Sequence, residues 1–281
     1  MKKIAIITDS SAYLPPEIIK DLGLYVVPLT LHWDGESYRD GEDIRAEEFY
    51  ERLAQSSTIP TTSQTTVGEF ETLFKKLLDQ DFEILAMLIS SGISGTVESA
   101  FQAKKQFPGA PIEVIDTKLV SMALGFMVMT VARAAANGAS LAECKALVDE
   151  IYPKIGVYFT VDTLKYLNKG GRINTAKRLL GSALSIKPIM EIRDGKIELV
   201  ESVISRKKAV KRMLELVERD IAGRTPVSIG TFHAAAEADN DMLMAEAIDL
   251  FKPVETVKTF VSPVVGTHTG PGTLSIAYMV G

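Results

Sequence analysis

The side chains that could do chemistry in this chain are mostly neutral hydroxyls in short polar segments. Four such segments interrupt the apolar pattern, and they are 8–11 (TDSS), 60–64 (PTTSQ), 90–96 (SSGISGT) and 266–272 (GTHTGPG). The last segment adds a histidine, His268. Hydroxyl donors of this kind suit the binding of a small anion such as a carboxylate better than its transformation. The hydroxyls in question belong to Thr61, Thr62, Ser63, Ser91, Ser94 and Thr267.

The segment 90–96 follows a predicted strand and precedes a predicted helix. Residues 83–89 (EILAMLI) form a short apolar run typical of a buried parallel strand, and residues 96–105 are predicted to be helical. A Gly/Ser turn at a helix N-terminus brings free N–H groups, hydroxyls and the positive end of the helix dipole together, which attracts anions. An ordinary helix cap with glycines for a tight turn is the alternative interpretation.

Catalysis by a serine and a histidine is the main enzymatic alternative. Ser94 could be a nucleophile and His268 its base, as in a small-molecule hydrolase or transferase. The sequence GISG at 92–95 lacks the glycine two residues after the serine that a nucleophile elbow requires. No metal site is predicted, because the three histidines are far apart and have no ligand spacing. His32 and His233 are therefore expected to be isolated surface histidines.

Composition narrows the class of protein. The chain has 281 residues and a net charge of −5, which argues against a nucleic-acid-binding protein. Its single cysteine, Cys144, excludes an intrachain disulfide and fits a reducing cytoplasm. The longest uncharged run, 119–132, is shorter than the roughly 20 residues of a membrane span, and the N-terminus lacks a signal-peptide core. We therefore expect a soluble, cytoplasmic protein without stable membrane insertion.

The order of predicted elements indicates an α/β fold with two domains. Strands alternate with helices up to about residue 155, which predicts a parallel sheet with helices on both faces. Beyond that point the turn Arg193-Asp194-Gly195 between two extended runs predicts a hairpin. We expect domains at 1–155 and 156–281, the second an α+β domain with a largely antiparallel sheet. Where the apolar pattern is less regular, we predict one strand over 24–33 and a helix over 175–184.

A methionine-rich helix is predicted over 120–136. Met122, Met127 and Met129 lie there among leucine, phenylalanine and valine. Methionine fills irregular spaces and lines adaptable pockets, so this helix could border an apolar binding site. Core packing is the alternative.

The chain resembles the DegV family of bacterial fatty-acid-binding proteins, through segments that match nearly from end to end. The resemblance implies a two-domain α/β fold with one long-chain fatty acid, such as palmitate, buried between the domains. The matching segments are TDSSAYLP at 8–15, PTTSQ at 60–64, ISSGISGTVESA at 89–100, IDT at 115–117, LKYLNKGGRI at 164–173, KPI at 187–189 and GTHTGPGTL at 266–274.

The resemblance also implies roles for particular residues. The PTTSQ and ISSGISG segments imply that Thr62 and Ser94 bond the fatty acid carboxylate, and GTHTGPG implies that His268 lies near it. Some members are carrier subunits that present the carboxylate to a fatty acid kinase, which converts it to an acyl phosphate. The chain is thus expected to be a carrier rather than an enzyme, with no cofactor or metal.

Two arginines stand out in this acidic chain. Arg172 follows two glycines, and Arg206 opens a short basic run at 206–208. A guanidinium group suits phosphate, so we expect Arg172, and less directly Arg206, to face the kinase or the incoming phosphate. A solvated helix end is the alternative for both.

Overall fold

The computed structural model describes residues 3–181 and 186–281, which form an α/β fold. The strands are β1 (Ile4–Asp9), β2 (Tyr25–Val27), β3 (Thr30–Trp33), β4 (Glu36–Arg39), β5 (Thr61–Ser63), β6 (Glu83–Leu88), β7 (Ile112–Asp116), β8 (Ile155–Thr160), β9 (Lys187–Arg193), β10 (Lys196–Val203), β11 (Val227–His233), β12 (Glu255–Phe260) and β13 (Leu274–Val280). The helices are α1 (Pro16–Asp21), α2 (Ala46–Gln55), α3 (Val67–Leu78), α4 (Thr96–Lys104), α5 (Ser121–Ala136), α6 (Leu141–Ile151), α7 (Lys165–Lys169), α8 (Arg206–Ile221), α9 (Glu237–Phe251) and α10 (Pro263–Thr269).

The first sheet is parallel and has the strand order β2-β1-β6-β7. Because side chains alternate along a strand, Ile84 and Ala86 pack on one face with α3 and α4, whereas Leu85 and Met87 face α5. The predicted parallel sheet with helices on both faces is therefore confirmed.

The second large sheet has the order β10-β9-β8-β13-β11-β12. Its neighbouring strands are antiparallel except for β11 and β12. The predicted hairpin is present, with β9 and β10 paired across the turn at Asp194 and Gly195. Apolar residues of α8 and α9 cover one face of this sheet. The largely antiparallel sheet is thus also confirmed.

Helix α5 lies between the two large sheets. Its apolar residues share one hydrophobic cluster with Leu85 of the first sheet and with Val157 and Ala277 of the second. Such a helix needs apolar residues on all sides, which explains the long uncharged run. Met122, Met127 and Met129 are buried in this core. Core packing, rather than a pocket lining, is the correct interpretation of the three methionines.

Several local predictions were wrong. The single strand expected over 24–33 is two strands in different sheets, β2 and β3, because Pro28 between them has no N–H to continue a ladder. The predicted helix over 175–184 is a 3-10 helix at Asn174–Leu179, and residues 182–184 lie outside the described residues. A small sheet with the order β4-β3-β5 contains part of the polar segment 60–64.

The boundary expected at 155/156 stays a prediction. The second large sheet begins with β8, at Ile155, but the hydrophobic cluster around α5 includes residues from both sides of this position. Among the described residues, no helix combines the length and the apolar character that crossing a membrane would require.

The turn of the β9–β10 hairpin packs directly on the 90–96 segment. Ser90 Oγ donates a hydrogen bond of 2.7 Å to the Gly195 carbonyl oxygen, and a Cβ at Gly92 would lie 2.4 Å from that same oxygen. A side chain at 92 would therefore push the hairpin away from this segment.

We expect Gly92→Ala to lower the free energy of unfolding by about 1–3 kcal/mol, as overpacking against backbone does. Urea denaturation measures this change. Gly68→Ala in α3 is the matched control, because a Cβ there meets nothing within 4 Å. Equal stability of the two variants would contradict the close packing of the hairpin.

Candidate functional site

An internal cavity of about 320 Å³ lies against the second large sheet. This volume is in the range of pockets that hold small organic ligands. Its walls are mostly apolar and come from both halves of the chain; they include Leu29, Ile89, Val157, Phe159, Ile192 and Phe232. Its polar lining includes one group of side chains from separate loops, which we call the polar cluster: Thr62, Gln64, Ser94, Arg172 and His268.

The centre of the polar cluster is a hydrogen bond of 2.8 Å between Thr62 Oγ1 and His268 Nε2. Thr62 is the middle residue of the short strand β5, so it points opposite to its exposed neighbours Thr61 and Ser63. His268 lies in α10, which forms where the sequence pattern suggested only a glycine-rich segment. The structure thus brings together two residues that are 206 positions apart.

Ser94 and Arg172 complete the cluster from two further segments. Ser94 precedes α4, and its Oγ lies 2.9 Å from Thr96 Oγ1. Arg172 Nε donates to the Ile93 carbonyl oxygen over 3.2 Å, and its Nη1 donates to the Gly170 carbonyl oxygen over 2.6 Å. The guanidinium group is therefore held beside the 90–96 segment.

His268 is neutral at pH 7. Burial, and to a lesser extent the positive charge of Arg172, together lower the pKa of its imidazole to about 4. Its Nδ1 faces the Gly170 backbone so closely that a Cβ at 170 would lie 2.1 Å away. Within the polar cluster the formal charge is therefore carried by Arg172.

A serine–histidine pair is not formed in the described structure. Ser94 Oγ bonds to Thr96, whereas His268 Nε2 bonds to Thr62 and Nδ1 has no hydrogen-bond partner. A general base works best with a pKa near the operating pH, and the lowered pKa of His268 makes it a weak base. The geometry thus favours binding over nucleophilic catalysis.

The remaining predicted hydroxyls are divided between the cavity and other places. Ser63 lines the cavity, but Ser91 is exposed and donates to Asp116, and the Thr267 hydroxyl donates to the Pro263 carbonyl oxygen within α10. The sequence pattern missed Thr269, Ser121 and Ser275, which also line the cavity; single hydroxyl residues in a helix or strand give no signal of a pocket.

The other histidines have different surroundings. His32 bonds Ser37 and Ser63 through its two ring nitrogens on the small sheet. His233 was expected at the surface, but it is buried, because it ends an interior strand and packs against Phe260. Its Nδ1 accepts a hydrogen bond from Ala236 N over 3.1 Å. In the described ranges, no group of three or more His, Cys, Asp or Glu side chains could hold a metal ion.

Arg206 does not line the cavity. Its Nε donates to Asp239 over 2.8 Å, and its Nη1 donates to the Gly272 carbonyl oxygen. This arginine fastens the start of α8 to the loop after α10, so it is not simply a solvated helix end. Lys207 and Lys208, which follow it, are exposed.

Two carboxyl groups in the N-terminal part of the chain, those of Asp9 and Asp40, are buried. Asp9 accepts hydrogen bonds from Ser11 N and Ile89 N, and Asp40 accepts them from Ser10 Oγ and Val264 N. Burial raises the pKa of both, that of Asp40 to about 6. Asp40 thus connects the end of β1 to the first turn of α10.

The fold and the site define a class of protein. It is an α/β protein with two large sheets and one small sheet, and its mostly apolar internal cavity has hydroxyl, imidazole and guanidinium groups in its lining. The family model described as DegV, an uncharacterised protein family, matches residues 3–280. The chain therefore belongs to the DegV family.

Individual relatives agree with this assignment over nearly whole chains. A DegV domain-containing protein of Listeria monocytogenes is 36% identical over 280 residues, covering 99% of both chains. A DegV family protein from Thermus thermophilus, described for its fatty acid binding, has a TM-score of 0.94 and 30% identity, covering 99% of this chain and 100% of its own. A stearic acid-binding protein from Eubacterium ventriosum has a TM-score of 0.91 and 26% identity, covering 100% and 98%.

The raised pKa of Asp40 predicts a specific pH dependence of stability. Between about pH 4 and 6 the folded protein retains a proton that the unfolded chain has lost, so stability falls as pH rises through this window. Asp40→Asn removes the titration and keeps an acceptor for Val264 N. We expect its stability relative to wild type to increase by on the order of 2–3 kcal/mol from pH 4 to pH 7.

Urea denaturation of both proteins at several pH values measures this difference. Groups that do not interact with Asp40 titrate equally in the two proteins and cancel in the comparison; Asp9 is the buried carboxyl group that interacts with it. A difference that stays constant from acid to neutral pH would show that Asp40 has an ordinary pKa.

Proposed function

We propose that this protein binds a long-chain fatty acid, such as palmitate, in the internal cavity. The carboxylate is hydrogen-bonded by Thr62 and Ser94 with His268 beside it, and the tail lies along the apolar wall. The observation that carries this proposal is the meeting of these three side chains, from three distant segments, in the lining of an apolar cavity. Fatty acid binding by the relative from Thermus thermophilus supports it.

The electrostatics of the polar cluster fit a single negative charge. Neutral hydroxyl and imidazole groups supply hydrogen bonds. Arg172 supplies one positive charge, because it donates to uncharged backbone carbonyl oxygens. A buried carboxylate needs such a counter-charge, because an isolated buried ion is strongly unfavourable. The same cluster, Thr62, Gln64, Ser94, Arg172 and His268, contains no acidic side chain.

The tail should contribute most of the affinity. A 16-carbon acid buries about 15 methylene or methyl groups at roughly 0.8 kcal/mol each, or about 12 kcal/mol before association costs. A hydrogen bond from a hydroxyl to a carboxylate contributes only about 1.5–3 kcal/mol. The hydroxyls therefore determine which end of the ligand lies at the cluster.

We expect Ser94→Ala to weaken palmitate binding about tenfold, the effect of one charge-assisted hydrogen bond. Shortening the ligand by four carbons should weaken binding more, by about 3 kcal/mol of lost burial. Calorimetry on delipidated protein measures both effects. Ser91→Ala is the control, because Ser91 is exposed, bonds Asp116 and does not line the cavity. Equal affinity for eight-carbon and sixteen-carbon acids would refute the claim that the tail contributes more to affinity than the hydroxyls.

We further propose that the protein is a cytoplasmic carrier and not itself a catalyst. It would hold the fatty acid between the regions 1–155 and 156–281 and present the carboxylate to a partner fatty acid kinase for acyl phosphate formation. The weak basicity of His268 and the missing serine–histidine pair support a carrier over a hydrolase or transferase.

Arg172 lies at the cavity, so we propose that it faces the incoming phosphate beside the carboxylate. Arg206 remains a proposed contact of the partner kinase. Its hydrogen bond to Asp239 also joins the start of α8 to α9.

Arg172→Ala, loaded with palmitate, should form acyl phosphate at least tenfold more slowly with a fatty acid kinase, since charge stabilisation of a transferring phosphoryl group is lost. Because Arg172 is also the proposed counter-charge of the carboxylate, native mass spectrometry before the assay measures the loading of each protein, and rates are compared per loaded molecule. Lys207→Ala serves as a control for loss of an exposed positive charge that does not line the cavity. An unchanged rate for Arg172→Ala would exclude the proposed role.

A further inference from the structure

Two serines in the cavity lining have hydroxyls without a partner. Ser275 is 1% exposed and Ser121 is 4% exposed, and neither Oγ has a hydrogen-bond partner among the described residues. Both residues line the cavity. Buried polar groups are nearly always hydrogen-bonded, because burying an unpaired hydroxyl is costly. Tyr13 and Thr269, which also line the cavity, have unpaired hydroxyls too. Four such hydroxyls bordering one cavity indicate a partner that the described chain itself does not provide.

Ser275 occupies a position where an apolar residue would be expected. The register of the second large sheet places it in the middle strand β13, directly between Phe159 on β8 and Phe232 on β11. Two residues along the same face of β13, Ala277 lies opposite Val157. A hydroxyl between two phenylalanines interrupts an otherwise apolar wall.

Ser121 is the first residue of α5, and its backbone is strained. Its φ is 64°, a left-handed conformation that is unfavourable for residues other than glycine. Val120 before it makes no side-chain cap hydrogen bond to the helix. The Ser121 hydroxyl therefore does not cap the helix, and it is available to hydrogen-bond a ligand.

These serines lie on different elements from the groups that hold the carboxylate. Thr62, Ser94 and His268 belong to β5, the turn before α4 and α10. A hydroxyl both donates and accepts, so it matches an alcohol or carbonyl oxygen in a ligand, whereas a methylene group leaves it unpaired.

We propose that the cavity binds fatty acids that carry an oxygen along the chain, such as hydroxy fatty acids, with Ser275 and Ser121 as hydrogen-bond partners of that oxygen. This inference rests on the proposed function and names the chemical class of its ligand. A wholly apolar wall would select against such a chain, since the ligand hydroxyl would lose its water without gaining a partner. The two serines remove that penalty.

The test compares stearate with hydroxystearates that carry the hydroxyl at different carbons, by calorimetry on delipidated protein. We expect at least one isomer to bind wild-type protein as tightly as stearate or more tightly. In Ser275→Ala the affinity ratio of that isomer to stearate should fall about tenfold, the effect of one lost hydrogen bond to a buried hydroxyl. Ser121→Ala should change the ratio in the same direction.

Val157→Ala is the matched control. It alters the neighbouring cavity wall without removing a hydroxyl, so it should change the affinities for stearate and hydroxystearate by similar factors.

Three results would overturn the inference. Stearate could bind at least tenfold more tightly than every isomer, or both serine variants could leave the ratio unchanged, as they would if ordered water alone satisfied the hydroxyls. Ser275→Ala could also weaken both ligands equally, which would assign its hydroxyl to the carboxylate. If wild-type protein binds neither stearate nor any hydroxystearate, the proposed function itself fails.

Discussion

The cavity depends on the docking of one short segment, residues 261–269, onto the N-terminal part of the chain. Tyr50 Oη donates to the Val261 carbonyl oxygen over 3.0 Å, Asp40 accepts from Val264 N, and Thr62 bonds His268. A Cβ at Gly266 would lie 2.2 Å from the Tyr50 hydroxyl oxygen, so only glycine allows this approach. These contacts hold α10 against the N-terminal part of the chain. They therefore position both the His268 imidazole and the residues of α10 that line the cavity.

The docking of α10 has an electrostatic disadvantage that the packing must offset. Asp40 is buried beside Tyr13 and Tyr50, and its ionised form is disfavoured by desolvation, which raises its pKa. Its hydrogen bonds to Ser10 and Val264 N compensate in part, and they are stronger to the carboxylate than to the neutral acid. A hydrophobic residue at 40 would avoid the desolvation penalty but would leave the Val264 N–H without this acceptor. The presence of a carboxyl group at position 40 is thus better explained by its hydrogen bond to the first turn of α10 than by a gain in the free energy of unfolding.

Although they did not predict the small sheet β4-β3-β5, local sequence patterns were enough to predict the character of the two large sheets, parallel and largely antiparallel, because it depends on short-range periodicity and turn chemistry. The apolar run at 83–89 and the turn around Asp194 are of this kind. Helix α10 could not be predicted in this way, since glycine and threonine are poor helix formers. The Ser262 cap, Pro263 in the first turn and the packing against Tyr50 stabilise it, and the last of these is a tertiary contact.

The polar cluster was only partly accessible from the sequence. Segments rich in hydroxyls and glycine indicated Thr62, Ser94 and His268, and the resemblance to known proteins implied their roles. Arg172 was expected to face the kinase or the incoming phosphate, and this role stays a prediction; the sequence did not indicate that its guanidinium donates to the Ile93 and Gly170 carbonyl oxygens at the cavity. The depressed pKa of His268 depends on burial and on that neighbouring charge, neither of which a linear pattern contains. Ser275 escaped notice for the same reason, because a strand pattern does not reveal which buried face borders a cavity.

A cavity with mostly apolar walls recognises a hydrocarbon tail mainly by length and shape, since dispersion and burial have no directional preference. Discrimination among tails of equal length must then come from the few polar positions in the wall. Burying an unpaired hydroxyl between Phe159 and Phe232 is unfavourable in the empty protein, and alanine would fit the same space. A serine at that position is therefore explained more simply by a ligand oxygen than by folding, and the unpaired hydroxyl of Ser121 at the same cavity agrees with this explanation.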